Sequence, residues 1–585
     1  MEHAYDSWGR AGDQFAAGAR CVGIDLGTTN SCATRVGIWK TERNHVKILK
    51  NRRDRGRTTP SVVRFGPESD QVLVGNEAIA HELEDPVGNT VRAVKRLMGQ
   101  PFESKAVEVA TKFAAFKLEP TKQGNTAISI DRSGSKTDTV LPEDVSAAVL
   151  SELKASAEAY YQDESIDHVV ITVPAYFNDS QRRATLEAAT SAGFSAVRLL
   201  NEPTAAAMAY GLFLAGTKLV VVFDFGGGTL DVSLMQIQDG KFEVLGIGGD
   251  TNLGGEDINH LLLDHVLEMF DKHFGVHREQ LRPEDMVKLK REVEKAKIEL
   301  STEESAVVEL RGAAGSSKTM TVTLHRRKFE LLCESIWKRC LRIVSNVLKE
   351  AEADVTEIDE VILVGGSTRI PVVRSRLSEF FNDKWMVCLT VRIRSTNGVS
   401  GVEQELCMSV NADEVVCEGA AIQAAILSGM DHKVFRDVLM MDVIPLPIGL
   451  ETADGAMEVL LPKNSRIPVS LTKYFETFED GQRGLTVEVY EGEHAVAKQN
   501  DHICYFNFAL PRDKIGKAGE FRHPVTFTMT PSGVLQVQAG IHHDSEEAPM
   551  STTGIVLMAS YIAALFAFYV FFRLYFADER DITLE

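Results

Sequence analysis

Two glycine turns, each with an acid beside it, are the part of this chain best equipped for chemistry. Val22-Gly23-Ile24-Asp25-Leu26-Gly27-Thr28-Thr29 stands near the start. Val222-Phe223-Asp224-Phe225-Gly226-Gly227-Gly228-Thr229-Leu230-Asp231 returns about 200 residues later. Each is an apolar strand-like run, an Asp, a Gly/Thr turn and a second alternating run. Glycine lets backbone N–H groups close around phosphate oxygens. A carboxylate repels phosphate, so the Asp calls for a cation between the two. Two such turns, one per half, predict a two-lobed fold that clamps a Mg-nucleotide. Neither turn fits the strand–loop–helix Gly-Lys-Ser/Thr pattern or the dinucleotide fingerprint.

The elements around these turns read as an α/β protein. Residues 21–429 alternate strand hairpins with amphipathic helices. The run Asp167 to Pro174 predicts a strand, followed by an alanine-rich helix over Ser180–Ala192. Asp359 to Gly366 is another strand running into glycines. Residues 282–300 predict a long helix with Pro283 near its start and acids in the first turn. Glu294, Lys297 and Ser301 then share one helical face, which by itself reads as an ordinary solvated face. Residues 443–541 predict a β-sandwich from short strands at Met457–Leu461, Lys473–Phe478, Leu485–Tyr490, Cys504–Leu510, Val525–Met529 and Val534–Ala539.

Composition narrows the function. At 585 residues the chain exceeds a single core. Its net charge of -20, from 63 basic and 83 acidic residues, argues against nucleic acid as the main partner. The cysteines (Cys21, Cys32, Cys333, Cys340, Cys388, Cys407, Cys417 and Cys504) form no C-x-x-C pair and read as a reduced set. Residues 1–20 lack the apolar core of a secretory signal; they read as a disordered extension, with a weak organelle-targeting segment as the alternative. From Ile555 to Phe572 the chain carries no charge. At helical rise that stretch covers about 27 Å, close to a bilayer core. Aromatic residues from Tyr569 to Phe576 crowd its far end and Arg573 can snorkel. We therefore expect a membrane span over 555–576 rather than a buried core helix, behind a polar hinge at 542–554 and ahead of a short tail, 577–585.

Two segments stay open on composition. Asp437-Val438-Leu439-Met440-Met441-Asp442 is an apolar run with acids at both ends. It is either a linker (430–442) that docks conditionally on a groove or the first strand of the next domain. Lys384 to Met408 fits neither neighbour and is either a surface insertion or a gene-model error such as a retained intron.

In order along the chain come Ile24 to Ser31, Val173 to Arg182, Asn201-Glu202-Pro203-Thr204-Ala205-Ala206-Ala207, Asp224 to Asp231, Gly249 to Asp257, and Val364 to Pro371. Together they closely resemble the heat shock protein 70 (DnaK-type) chaperones of the actin/hexokinase-like ATPase superfamily, over about residues 21–540. The resemblance implies an ATPase domain over 21–429, a β-sandwich peptide-binding domain and ATP or ADP with Mg2+ and K+. It implies that Asp25, Glu202, Asp224 and Asp231 hold the magnesium, largely through water, and that Lys95 orients the attacking water. Gly27, Thr28, Thr29, Asn30, Gly226, Gly227, Gly228 and Thr229 would contact phosphates. Glu294, Lys297 and Ser301 would meet the adenosine from one side, and Gly365, Gly366, Ser367 and Arg369 from the other.

The same resemblance assigns Leu450, Thr452, Phe475, Leu485, Val487 and Val534 to a peptide cleft, with Ala453 and Phe478 arching over it. Pro174 and Arg182 would relay between domains, Arg198 would lie where J-domain proteins dock, and Asp437 to Asp442 would be the interdomain linker. Unfolded or nascent polypeptides, J-domain co-chaperones and nucleotide exchange factors are the implied partners. Past about residue 541 the resemblance ends, and the membrane segment stands where the family's helical lid would be. The expectation is a lidless ATP-driven chaperone, tail-anchored at a cytosolic membrane face, with the endoplasmic reticulum preferred and a soluble cytoplasmic protein as the alternative. A nucleotide-binding scaffold or co-chaperone without a productive refolding cycle is the rival function, and a small-molecule kinase on the same superfamily fold is disfavoured by the match to the peptide cleft.

Overall fold

The computed structural model describes residues 19–36, 46–68, 71–84, 87–132, 136–162, 164–211, 216–312, 319–382, 386–388, 391–393, 411–430, 435, 438–510, 513 and 515–539. Most of residues 1–20 and of 384–408, Asp437 and everything from 540 onward, including the expected span 555–576, lie outside them. Among the described residues no helix is long and apolar enough to cross a membrane.

The doubled motif is a doubled fold. In the first half, Cys21–Asp25 turns back antiparallel into Asn30–Val36, which pairs with Val46–Leu49. On its other side Cys21–Asp25 runs parallel to His168–Val173, and that strand runs parallel to Ala196–Asn201. The second half repeats this order. Thr217–Phe225 turns back into Leu230–Gln238 and then Lys241–Asp250, with Glu360–Val364 parallel on the far side. These strands are apolar on both faces because helices cover both. One apolar cluster gathers Val22, Ile24, Val169 and Ile171 with helices Pro142–Tyr160 and Asp179–Ser191. Another gathers Val221, Phe223, Leu230 and Val232 with helices Gly255–Phe274 and Glu334–Glu350. Between them, helix Glu202–Gly211 packs on helix Val415–Leu427.

The helix expected over Ser180–Ala192 is Asp179–Ser191. The Asn178 side chain accepts from the Gln181 amide and the Gln181 side chain answers the Asn178 amide. The long helix expected over 282–300 is Pro283–Glu299, so Ser301 falls just past its end, its amide donating to the Ile298 carbonyl. Of the segment left open, Leu439–Val443 is a strand paired into the sheet of the second half. Leu439–Val443 runs parallel to Lys241–Asp250, pairing Met440 with Phe242, and Arg466–Ile467 adds antiparallel beyond it.

The β-rich region is present with shifted bounds: Val469–Glu476, Gly484–Glu491, Asp501–Ala509, Arg522–Met529 and Leu535–Ala539, plus an unforeseen Ile448–Glu451. It does not stand apart as a unit over 443–541. Residues up to Leu471, Thr486–Phe506 and Phe527–Gln536 are compact with the ATPase residues. A second unit holds Thr472–Leu485 and Asn507–Thr526. Within it Arg522 pairs with Glu476 at 2.8 Å and the Thr472 and Thr526 hydroxyls meet at 2.8 Å.

Candidate active site

Asp25 and Asp224 occupy equivalent strand ends, and the two turns behind them meet face to face. A Cβ added to Gly227 would lie 2.1 Å from Thr29 Oγ1, and one on Gly228 would lie 2.3 Å from Thr28 Oγ1. Only glycine permits this approach, so Gly227 and Gly228 hold the lobes close enough for one phosphate chain to touch both turns. The second turn is braced from outside. Arg96 Nε donates to the Gly228 carbonyl at 2.7 Å and Ser367 Oγ to the Gly226 carbonyl at 2.8 Å. The Glu256 amide takes the Gly227 carbonyl. With these carbonyls engaged outward and the Gly226 amide closed onto the Thr229 carbonyl, the turn leaves the Gly227 and Gly228 amides for an anion.

Four carboxylates share the floor. Asp224 and Asp231 are register partners across the hairpin. Glu202 opens its helix at the end of strand Ala196–Asn201, and Asp25 accepts from Thr172 Oγ1 at 2.9 Å. Glu202, Asp224 and Asp231 are buried, Asp224 6 % and Asp231 1 % exposed, and Asp25 is half-buried. Burial first, then Glu202, raises Asp25 to about 7 and Asp231 to about 7, and drives Asp224 well above its ordinary range. Lys95 stands against them. It sits on a short 3-10 turn after Ala93, whose positive φ of 53° turns the chain inward, and its Nζ meets Glu202 Oε1 at 2.5 Å.

One lysine among four acids leaves negative charge uncompensated, and Asp231 Oδ2 is buried with no partner. The set fits a hard divalent cation such as magnesium, which takes one or two carboxylates and completes its shell with water and phosphate oxygens. Among the described residues no three acid, His or Cys side chains converge to hold a bare metal ion.

On the nucleoside side, Lys297 Nζ donates to the Gly255 carbonyl at 3.3 Å, and burial raises the Glu294 carboxyl. Opposite, a Cβ on Gly365 (φ 83°) would meet the Phe225 carbonyl at 2.4 Å. Arg369 pairs with Asp413 at 2.8 Å. Thr172, Arg96 and Asp413 were not among the residues marked from the sequence. Arg96 is next to Lys95 and Thr172 lies in a marked strand, but their roles depend on tertiary approach.

The site connects to the β-rich region through one turn. Asp231 Oδ1 accepts from the Tyr176 amide at 3.1 Å, and the Phe177 amide closes onto the Pro174 carbonyl. The buried Arg182 then donates to the carbonyls of Ala175 and Phe177, to Asn201 Oδ1 and to the Ser532 carbonyl. Beside it, Asp442 accepts from Thr204, and Arg182, Arg198, Met440 and Asp442 line a cavity of about 200 Å³. The Leu535 amide reaches Asp179 at 2.7 Å.

Which family builds such opposed glycine turns is decided by comparison. The family model described as Hsp70 protein matches residues 21–390 and 397–556. The chain belongs to the heat shock protein 70 family. Its match runs past residue 541 and omits only 391–396 of the segment 384–408. A heat shock cognate HSP70 protein of Trypanosoma brucei brucei is 39% identical over 524 residues, covering 88% of this chain and 72% of its own length. Heat shock cognate 70 kDa protein 3 of Dictyostelium discoideum is 39% identical over 526 residues, covering 88% and 78%. Members of the family are chaperones and ATPases that bind ATP or ADP with magnesium. Of the expected peptide-cleft residues, Leu450, Val487 and Val534 are buried in the first unit, where Thr452 Oγ1 donates to the Ala456 carbonyl and Ala453 is exposed. Phe475, the buried Leu485 and the 76 % exposed Phe478 belong to the second.

Proposed function

We propose that this chain hydrolyses ATP between its two glycine turns. The cycle governs binding and release of extended hydrophobic segments of unfolded proteins at a cytosolic membrane face, where residues 555–576 anchor the chain. A magnesium ion held by Asp25, Glu202, Asp224 and Asp231 would neutralise phosphate charge. The amides of the two turns bind the phosphates, Thr28, Thr29 and Thr229 steady them, and Lys95 positions the attacking water and offsets charge developing at the γ-phosphate. The observation that carries this reading is the continuous path from Asp231 through Tyr176, Ala175 and Arg182 to Ser532. It ties the acid of the second turn to the β-rich region, and so a change at the phosphate to the peptide-binding residues. J-domain proteins and exchange factors would act on this cycle, with potassium as a second cation in the site.

Single-turnover hydrolysis with and without a J-domain tests the cycle. Acceleration supports it, and nucleotide binding without turnover in either condition sinks it in favour of a scaffold. Imaging an N-terminally tagged chain with and without residues 550–585 tests the anchor. A full-length protein that stays soluble removes that part of the proposal.

A further inference from the structure

On the outer edge of the first sheet, Arg35 and Lys47 stand directly opposite each other across the strand pair Asn30–Val36 and Val46–Leu49. Like charges facing across an antiparallel pair repel. Among the described residues neither has a carboxylate within ion-pair distance, in a chain whose net charge is -20. What they share is one oxygen. Arg35 Nη2 and Lys47 Nζ both donate to the hydroxyl of Tyr160, each at 2.9 Å. Both cations also lie over its ring, 4.7 Å from the centroid. Arg35 Nε itself is buried without a hydrogen-bond partner, while the guanidinium also lies over the Tyr161 ring, 5.4 Å from its centroid, and draws the Tyr161 hydroxyl downward against burial.

A neutral phenol is a poor counterpart for two cations. It offers two lone pairs and no charge. The local field already acts on it: the Lys47 hydrogen bond, with Arg35 adding to it, holds the Tyr160 hydroxyl below its ordinary range. Tyr160 ends helix Pro142–Tyr160 and is 39 % exposed, whereas its neighbour Tyr161 is more deeply set and burial pushes its hydroxyl the other way. We propose that Tyr160 is a phosphorylation site, and that Arg35 and Lys47 form the preformed cradle for its phosphate.

A phosphomonoester brings about −1.5 to −2 charges and three acceptor oxygens to this position. It would cancel the repulsion between the strands and give the unpartnered Arg35 Nε an acceptor in charge-assisted geometry. The transfer needs a tyrosine kinase as co-reactant. Its ATP loses the bond between the γ-phosphorus and the β-bridging oxygen, the Tyr160 oxygen takes the phosphoryl group, ADP leaves and the phenolic proton passes to solvent. The product clasps the end of helix Pro142–Tyr160 to the two strands, one of which begins at Asn30 in the first phosphate turn.

The test uses the full chain with phosphotyrosine encoded at position 160, in the natural background and with Arg35→Gln and Lys47→Gln together. Phosphorus NMR reads the second ionisation of the phosphate, ordinarily near pH 6. The expected result is a drop of about one pH unit in the natural background and the ordinary value in the double variant, with a thermal midpoint raised by the phosphate only when both cations are present. An ordinary ionisation in both backgrounds, or an unchanged or lower midpoint on phosphorylation, overturns the proposal. A parallel arm titrates Tyr160→Phe with inorganic phosphate. A midpoint rise equal to that of the phosphorylated chain would assign the cradle to free phosphate and also overturn it; no comparable rise supports the tyrosine as carrier.

Discussion

Replacing Arg182 by alanine should unfasten the β-rich region from the ATPase turn while leaving both lobes folded. The side chain is buried and donates to four acceptors: Phe177 O at 3.0 Å, Ala175 O at 3.1 Å, Asn201 Oδ1 at 2.9 Å and Ser532 O at 3.2 Å. Burial pushes its guanidinium below the usual range, while Asp442, Glu491, Asp179 and Asp231 draw it back. Truncation therefore relieves a desolvation cost and strands several acceptors at once. Breaking a buried charged network of this kind costs about 3–5 kcal/mol. At about 1.4 kcal/mol per tenfold, local opening should become about 10²- to 4 × 10³-fold more frequent. Native-state hydrogen exchange reads this directly. The amides of Leu535, bonded to Asp179, and of Leu199, bonded to Ser532 Oγ, should lose protection by that factor. Amides of Cys21–Asp25 should keep theirs. Arg311→Ala serves as comparison, because that side chain is 80 % exposed and pairs with Glu309 on its own strand, and it should leave the Leu535 and Leu199 amides unchanged. Less than a tenfold change at Leu535 and Leu199 in Arg182→Ala would refute the reasoning that this guanidinium is the fastener.

Lys95→Met should retain ATP binding, measured by equilibrium titration, and lower single-turnover hydrolysis by about 10²- to 10⁴-fold. Glu491 accepts from the Asp179 amide at 2.8 Å, and burial, with Asp179 beside it, raises its carboxyl to about 8. A raised acid stabilises the folded state while protonated, so protection of the Asp179 amide should fall as pH rises from about 4.5 through 8; Glu491→Gln should flatten that profile. His260 stacks on Phe113 at 3.6 Å, joining helix Lys105–Phe113 of the first half to the second, and burial lowers it to about 4. The sign reverses for this lowered histidine: the contact is intact above about pH 6.5 and lost as pH falls toward 4. His260→Ala should speed nucleotide release several-fold at pH 7 in stopped-flow displacement.

The chemistry was more legible in the sequence than the assembly. Asp25 and Asp224 with their glycine turns could be read directly, because phosphate approach demands glycine and the acid demands a cation. The shared face of Glu294 and Lys297 followed from helical spacing, but the helix stops at Glu299 and leaves Ser301 in the turn beyond it. The docked linker was half legible: an apolar run between two acids marks conditional burial without naming the partner strand. The joining of the β-rich region to the ATPase residues was not legible. It rests on pairs such as Arg182 with Ser532 and Asp179 with Leu535, 350 and 356 positions apart. Contacts that distant leave no local period. Lys95 illustrates the same limit, since only its surrounding motif distinguished it from a surface lysine.

The linker strand also protects a vulnerable margin. Lys241–Asp250 has a sheet neighbour on one side, and on the other its first residues are covered by Leu439–Val443. Were that strand to detach, Lys241, Phe242 and Glu243 would present bare backbone donors and acceptors, the kind of margin that recruits foreign strands. The chain therefore carries its own stopper, tethered close by and always at high local concentration. The charges of Lys241 and Glu243 discourage substitutes during the interval. Any condition that keeps the linker away for long, in a crowd of identical chains, offers each molecule's linker to its neighbour's margin. The same three-residue register then becomes a template for exchange between molecules.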